Sequence, residues 1–275
     1  MAARTVRRCG VLGSPIAHSL SPAMHRAAYT LLGLPWHYGA RDVDAAGLPE
    51  LLAGLDESWR GLSLTMPLKR AAVPLCDALS PTARRVGAVN TVLLADGLRH
   101  GDNTDVPGFV AALAERGVRE VTSAVVLGAG ATAVSAAAAL SDLGLQHLHL
   151  AVREESRAET ACEVVSSWGV RVSVGSLSAV DAVAADVLVS TVPAPAAADS
   201  TALLQDVATV FDVVYDPWPT PLSQAAEDRG SVVLDGLDLL AHQAALQVLA
   251  MTGLGVGVDV LRRAARTELA QRHNA

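Results

Sequence analysis

Short apolar runs alternate with helical spacing over the first hundred residues. RRCGVLG (7–13) reads as a strand, PAMHRAAYTLLG (22–33) as a helix closed by Gly33, WHYGARDV (36–43) as a strand, and the residues around 47–55 as a short helix. WRGLSLTM (59–66) is a further strand, stopped by Pro67. AVNTVLLADG followed by GLRHG predicts a β-hairpin turning at Asp96-Gly97, where both central residues need positive φ. A helix is expected over about 105–116.

The rhythm then becomes more regular. Strands are predicted at 122–127, 147–152, 170–174, 186–190, 209–213 and 231–234, with helices at 130–143, 155–167, 178–184 and 220–228. Buried apolar strands alternating with helices imply a parallel sheet covered on both faces, an α/β architecture. From Leu237 the chain is helical, with breaks at Gly253, Gly255 and Gly257. The change of rhythm near 104–106 marks a domain boundary, and the last helices are expected to return to the first domain, because the sheet pattern has ended by 234.

Composition narrows the picture. The chain has 275 residues, 51% hydrophobic but only 3% aromatic, so its core is built from Ala, Val and Leu. A formal net charge of −7 argues against a nucleic-acid partner. Cys9, Cys76 and Cys162 are scattered and odd in number, which fits neither a disulfide framework nor a zinc site; they are expected to be small core residues in a reducing compartment. No metal is expected. No signal-peptide pattern precedes the first strand. Residues 121–140 carry no charge, but Gly128 and Gly130 interrupt them, so a strand, a tight turn and a helix are expected rather than a membrane span.

That turn, VVLGAGATA (125–133), reads G-x-G-x-x-A, a dinucleotide fingerprint. Gly128 permits the turn, Gly130 lets backbone approach a pyrophosphate, and Ala133 lets the helix pack close to the strand. The expected cofactor contacts are Gly128, Ala129, Gly130, Ala131 and Thr132, with backbone N–H groups at the helix start facing the anion. After the next strand comes LAVREESRAE (150–159). Arg153 and Arg157 suit the 2′-phosphate of NADP. Glu154 and Glu155 could instead repel a phosphate or bind the ribose hydroxyls of NAD.

In the first domain, GLSLTMPLK (61–69) places Lys69 just past a strand, GAVNT (87–91) places Asn90 before another, and GDNTD (101–105) places Asp105 at a helix start. Each also has a plain local explanation: a solvated lysine, a turn asparagine, and a helix cap at Thr104 or Asp105. Ser21 precedes Pro22 and is expected to be the N-cap of the first helix, leaving Ser19 without a local duty.

Taken in order, GSPIAHSLSPAMH (13–25), GLSLTMPLK, AVNT, GDNTD, the glycine turn, FDVVYDPWPTPL (211–222) and DGLDLLAHQA (235–244) resemble the shikimate dehydrogenase family through nearly the whole chain. The resemblance implies an N-terminal α/β substrate domain (1–104), a Rossmann-type doubly wound NADP domain (105–236) and C-terminal helices (237–275) packing on the first, with the active site in the cleft between domains. It implies reduction of 3-dehydroshikimate to shikimate with NADPH, reversibly, in aromatic amino-acid biosynthesis. Lys69 and Asp105 match the catalytic pair. Ser19 and Ser21 match ligands of the substrate carboxylate; Thr65, Asn90, Gln243 and Tyr215 match contacts to the hydroxylated ring; Val213 and Gly236 match positions beside the nicotinamide.

The chain departs from the usual family pattern at several points. Ser63 stands where Asn is usual, Val152-Arg153-Glu154 where Asn-Arg-Thr is usual, Val213 where a larger apolar residue is usual, and Val-Pro-Gly follows Asp105 where Gly is usual. The remaining readings are a quinate or amino-analogue paralogue using NAD, a non-catalytic sensor of dinucleotide and cyclohexene acid, and a methylenetetrahydrofolate dehydrogenase. The paired serines and GDNTD favour the shikimate family over the last. The expectation is a cytoplasmic enzyme, monomer or homodimer, with a small-molecule substrate and no membrane partner.

Overall fold

A computed structural model describes residues 6–177, 184–204 and 206–274. The chain divides into two compact units: residues 1–104 with 240–275, and residues 105–239.

The first unit begins with β1 (Arg8–Gly13), α1 (Ser21–Leu31), β2 (His37–Asp42), α2 (Leu48–Ala53), β3 (Trp59–Leu64) and a single helical turn, α3 (Leu68–Ala71). It continues through β4 (Ala78–Leu79), α4 (Pro81–Val86), β5 (Thr91–Ala95) and β6 (Leu98–Asp102). The strands form one mixed sheet in the order β2-β1-β3-β5-β6-β4. β1, β2 and β3 run parallel, while β5 is antiparallel to both β3 and β6. The β5–β6 hairpin turns where expected, with φ of 54° at Asp96 and 76° at Gly97. One face of the sheet is filled by Leu12, Leu62 and Leu64 against Leu48, Leu52 and Leu68.

The second unit runs from α5 (Asp105–Glu115) through β7 (Ser123–Leu127), α6 (Ala131–Asp142), β8 (His147–Val152), α7 (Glu159–Ser166), β9 (Arg171–Ser176), β10 (Ala185–Ser190), α8 (Ala194–Ala197), β11 (Val207–Asp212), α9 (Pro221–Glu227) and β12 (Val232–Leu234). Its sheet is parallel throughout, in the order β12-β11-β10-β7-β8-β9. This is the doubly wound dinucleotide-binding order, with the topological switch between β7 and β10. The helix predicted over 178–184 falls mostly outside the described residues. α10 (Gly236–Thr252) and α11 (Val258–His273) complete the chain, and α11 packs on α1 in the first unit. Among the described residues, no helix is long and apolar enough to cross a membrane.

Two expectations about local structure are corrected. Only Cys9 is fully buried; Cys76 packs half-buried against the core of the first unit, and Cys162 on α7 is half-buried. Burial pushes the Cys9 and Cys76 thiols up to about 11 and raises Cys162 as well, so none is a ready thiolate at neutral pH. The second correction concerns the first helix and belongs with the site.

Candidate active site

The chain enters α1 one residue earlier than expected. Leu20, fully buried, already has helical dihedrals (φ −93°, ψ −7°), and its carbonyl accepts the Met24 N–H at 3.2 Å. Leu20 takes the N-cap position, so the helix has no side-chain cap; Ser19 Oγ accepts the Ser21 N–H at 3.3 Å in a local turn just ahead of it, and Ser21 lies within the first turn. Burial of the Leu20 side chain outweighs the local preference of Ser-Pro for the cap. An acceptor hydroxyl keeps its own proton to donate, so both serines remain available to an anion at this helix terminus. Arg272 of α11 fixes the same turn, donating to the carbonyls of His18 at 2.9 Å and Ser19 at 3.1 Å.

Thr65 follows β3 and is tied to β1 by its N–H, 2.9 Å from the Leu12 carbonyl. Gly13 makes this approach possible: a Cβ there would lie 2.3 Å from Thr65 Cγ2. Lys69, half-buried, sits on α3, which is anchored by the fully buried Leu68. The Lys69 carbonyl accepts the Val89 N–H at 2.7 Å, placing the lysine backbone beside the turn that carries Asn90. Asn90, 2% exposed, accepts from the Thr104 N–H at 2.8 Å and the Thr91 hydroxyl at 2.8 Å, and donates to Thr104 Oγ1 at 2.9 Å. Thr104 directly precedes Asp105, the first residue of α5, which is 4% exposed.

Beneath this turn lies a buried polar chain that local sequence does not announce. The Tyr38 hydroxyl donates to Ser63 Oγ at 2.6 Å, and Ser63 donates to Gln247 Oε1 at 2.7 Å. Gln247 Nε2 donates to Thr91 Oγ1 at 3.0 Å and to the Asn90 carbonyl at 3.3 Å. His25 Nε2 lies 3.3 Å from Gln247 Oε1, and its ring stacks on Tyr38 at 4.0 Å. Ser63 thus reaches Gln247, and through it Asn90, from inside the fold. Gln243, one turn earlier on α10, is buried and donates to the Leu240 carbonyl at 2.8 Å.

In the second unit the glycine turn joins β7 to α6 at the switch point. Gly128 has φ of 103°, and a Cβ would lie 2.7 Å from Thr191 Oγ1. At Gly130 a Cβ would meet nothing within 4 Å. That open space, at a helix start with no side-chain cap, fits close approach of a pyrophosphate. Ala131 and Thr132 open α6, Ala129 lies inside the turn, and Ala133 is 1% exposed against the sheet. Arg153 is exposed at the end of β8, whereas Arg157 donates to Glu154 at 3.0 Å. The pair offsets the Glu154 charge and leaves Arg153 as the better placed of the two for a phosphate.

Val213 and Tyr215 follow β11 on a loop held by Asp212, which lies in the FDVVYDPWPTPL stretch but has no role assigned from the sequence. Its carboxylate accepts the Thr220 hydroxyl at 2.7 Å and the Val214 N–H at 3.2 Å. Burial pushes its pKa above the ordinary carboxylate range, with these bonds acting the other way. Gly236 packs against this loop so closely that a Cβ would lie 2.1 Å from the Val213 carbonyl oxygen.

A mixed α/β unit bearing Lys69 and Asn90, followed in the chain by a doubly wound unit with a glycine turn at its switch point, defines a class of dinucleotide-linked two-domain proteins. Similarity to known proteins narrows the class. Residues 11–92 match the family model described as the shikimate dehydrogenase substrate binding domain. A relative named shikimate dehydrogenase (NADP(+)) from Thermus thermophilus is 40% identical over 278 residues, spanning 95% of this chain and 98% of that one. The crystal structure of Mycobacterium tuberculosis shikimate dehydrogenase superposes with a TM-score of 0.87 at 37% identity, covering 95% of this chain and 99% of the other. That of a Thermus thermophilus shikimate 5-dehydrogenase in complex with NADP(H) and shikimate gives 0.82 at 37% identity, with the same coverage. The chain belongs to the shikimate dehydrogenase family.

Proposed function

We propose that this chain catalyses the reversible, NADPH-dependent reduction of 3-dehydroshikimate to shikimate. The first unit binds the substrate and the second the dinucleotide. The observation that carries the reading is the convergence of Lys69, Asn90 and Thr104 on one buried turn, in a chain with close relatives that bear this name.

NADP, when bound, supplies or accepts the hydride. Ser19 and Ser21 hold the substrate carboxylate at the start of α1. Thr65, Asn90, Tyr215 and Gln243 pair with ring hydroxyls; rigid buried partners of this kind discriminate strongly against a ring lacking one of them. Lys69 faces the carbonyl oxygen, where negative charge develops, and stabilises or protonates the alkoxide. Asp105 orients the lysine and supports its charge. Gly128 to Thr132 hold the pyrophosphate, Arg153 (with a lesser part for Arg157) the 2′-phosphate, and Val213 and Gly236 border the nicotinamide. A cytoplasmic setting and a monomeric or homodimeric state belong to the same proposal.

Initial rates with shikimate and quinate, each with NADP and NAD, test it. Shikimate with NADP should be fastest. Faster turnover of quinate with NAD would make the chain a quinate-type paralogue, and binding of both ligands without turnover would make it a sensor.

A further inference from the structure

The segment between β1 and α1, SPIAHSL (14–20), forms neither helix nor strand. It carries Ser19 and leads into Ser21, the two hydroxyls assigned to the substrate carboxylate. An untethered loop samples many conformations, so a hydroxyl on it keeps one direction only where contacts from outside hold its peptide planes.

The first half of the loop is tied to the sheet. The Ser14 N–H donates to the Met66 carbonyl at 2.9 Å, and the Ile16 N–H donates to Asp42 Oδ2, at the end of β2, at 3.2 Å. The second half is held from α11. Arg272, in the last turn of that helix, donates from Nη1 to the His18 carbonyl at 2.9 Å and from Nη2 to the Ser19 carbonyl at 3.1 Å. Its Nε donates to Glu268, one turn earlier on α11, at 3.0 Å. All three guanidinium nitrogens are therefore engaged, and the plane of the fork is set.

The two accepting carbonyls belong to the peptide planes on either side of the Ser19 Cα. Each peptide is planar, so holding both carbonyls fixes φ and ψ of Ser19, and with them the direction of its Cα–Cβ bond. Two neighbouring carbonyls taken by one rigid fork is a geometry that a lysine, a point charge on a flexible stem, does not reproduce. α11 packs on α1, so the helix that bears the arginine is itself fixed against the helix that begins with Ser21.

We propose that Arg272 is a positioning residue for substrate recognition: without touching the substrate, it aims the Ser19 hydroxyl, beside that of Ser21, at the carboxylate of the cyclohexene acid. The inference rests on the assignment of the two serines to that carboxylate.

The test compares calorimetric affinity for shikimate, and initial rates, across the full-length variants. Arg272→Gln should weaken shikimate about tenfold while kcat and the KM for NADP stay within about twofold of wild type. Arg272→Lys keeps the charge but not the fork; it should weaken shikimate about threefold, and it carries the test if Arg272→Gln fails to fold. In the Ser19→Ala/Ser21→Ala background, Arg272→Gln should add less than about twofold, because its effect runs through those hydroxyls. Arg266→Gln, at an exposed position of the same helix, removes the same charge and should bind shikimate as wild type does. Three results overturn the inference and leave the serine assignment standing: a weakened serine variant with both Arg272 variants within about twofold of wild type; arginine and serine effects that multiply in full, or a common loss in kcat and both KM values, either of which makes Arg272 merely structural; or equal weakening by Arg266→Gln, which makes the effect one of long-range charge. A serine variant that binds shikimate as tightly as wild type overturns the carboxylate site itself, and the inference with it.

Discussion

Replacing Gln247 by leucine keeps the volume at a position 1% exposed and deletes every polar contact of the side chain. Thr91 Oγ1 still donates to Asn90 Oδ1, and the Asn90 carbonyl still accepts the Leu64 N–H at 2.7 Å, so neither group is orphaned. Ser63 loses the acceptor of its proton and His25 Nε2 loses its Gln247 partner. Two buried orphans at about 1–3 kcal/mol each give about 2–6 kcal/mol, from which the apolar leucine recovers part. With a urea dependence of about 1–3 kcal/mol per molar, the midpoint for the first unit should fall by about 1–2 M. Hydrogen exchange at β1 and β3 amides reads that unit separately from the other, which matters because a two-unit chain need not unfold in one step. Adding Ser63→Ala to Gln247→Leu removes one orphan and should restore part of the loss, since deleting both partners is cheaper than deleting one. A midpoint shift below about 0.3 M, or additive single effects, would refute the view that this chain of bonds holds the Asn90 turn.

Three further outcomes are expected. Burial lowers His25 from 6.5 to about 3, the Gln247 bond opposing it; the fold therefore favours neutral His25, with full stability above pH 6.5 and loss of up to about 1.4 kcal/mol per pH unit as pH falls toward 3. His25→Gln should flatten the decline of urea midpoint between pH 6.5 and about 4, and an unchanged slope contradicts the assignment. Arg153→Gln should raise the KM for NADP about tenfold, the cost of one charge-assisted phosphate contact, and leave that for NAD unchanged, whereas Arg157→Gln should do less because its charge is already engaged by Glu154; equal effects on the two cofactors would rule out a 2′-phosphate contact. Gly130→Ala should fold normally and bind NADP more weakly, while Gly236→Ala, with a Cβ 2.1 Å from a carbonyl oxygen, should lose several kcal/mol of stability, about 3 or more; thermal melts and cofactor titration separate the two.

What could be read from the sequence was what local pattern encodes. The β7 turn, the Asp96-Gly97 hairpin and the parallel rhythm from 122 onward are written in adjacent residues. The α4 helix carries its own local signals: Ser80 caps it, accepting the Ala83 N–H at 3.0 Å, Pro81 opens it and Gly87 closes it at φ 61°. The α3 turn that carries Lys69 has four residues, too few for a helical period. Ser21 does not take the cap position that its place before Pro22 suggests, because burial of Leu20, a tertiary effect, shifts the helix start. The Tyr38–Ser63–Gln247–His25 chain joins residues as far as 222 positions apart, and no spacing rule finds such partners. A clue existed in Ser63 standing at a position where the family usually has Asn, since a shorter side chain there calls for a partner from elsewhere.

The account stands most directly on Lys69. Single-turnover reduction by Lys69→Ala and Asp105→Asn, paired with calorimetric binding of shikimate to the same variants, separates chemistry from recognition. Lys69→Ala should slow turnover by about 10²–10⁴ while shikimate affinity stays within about tenfold, and Asp105→Asn should slow it by a smaller factor. Turnover within about threefold of wild type, or a loss found wholly in binding, would contradict the account.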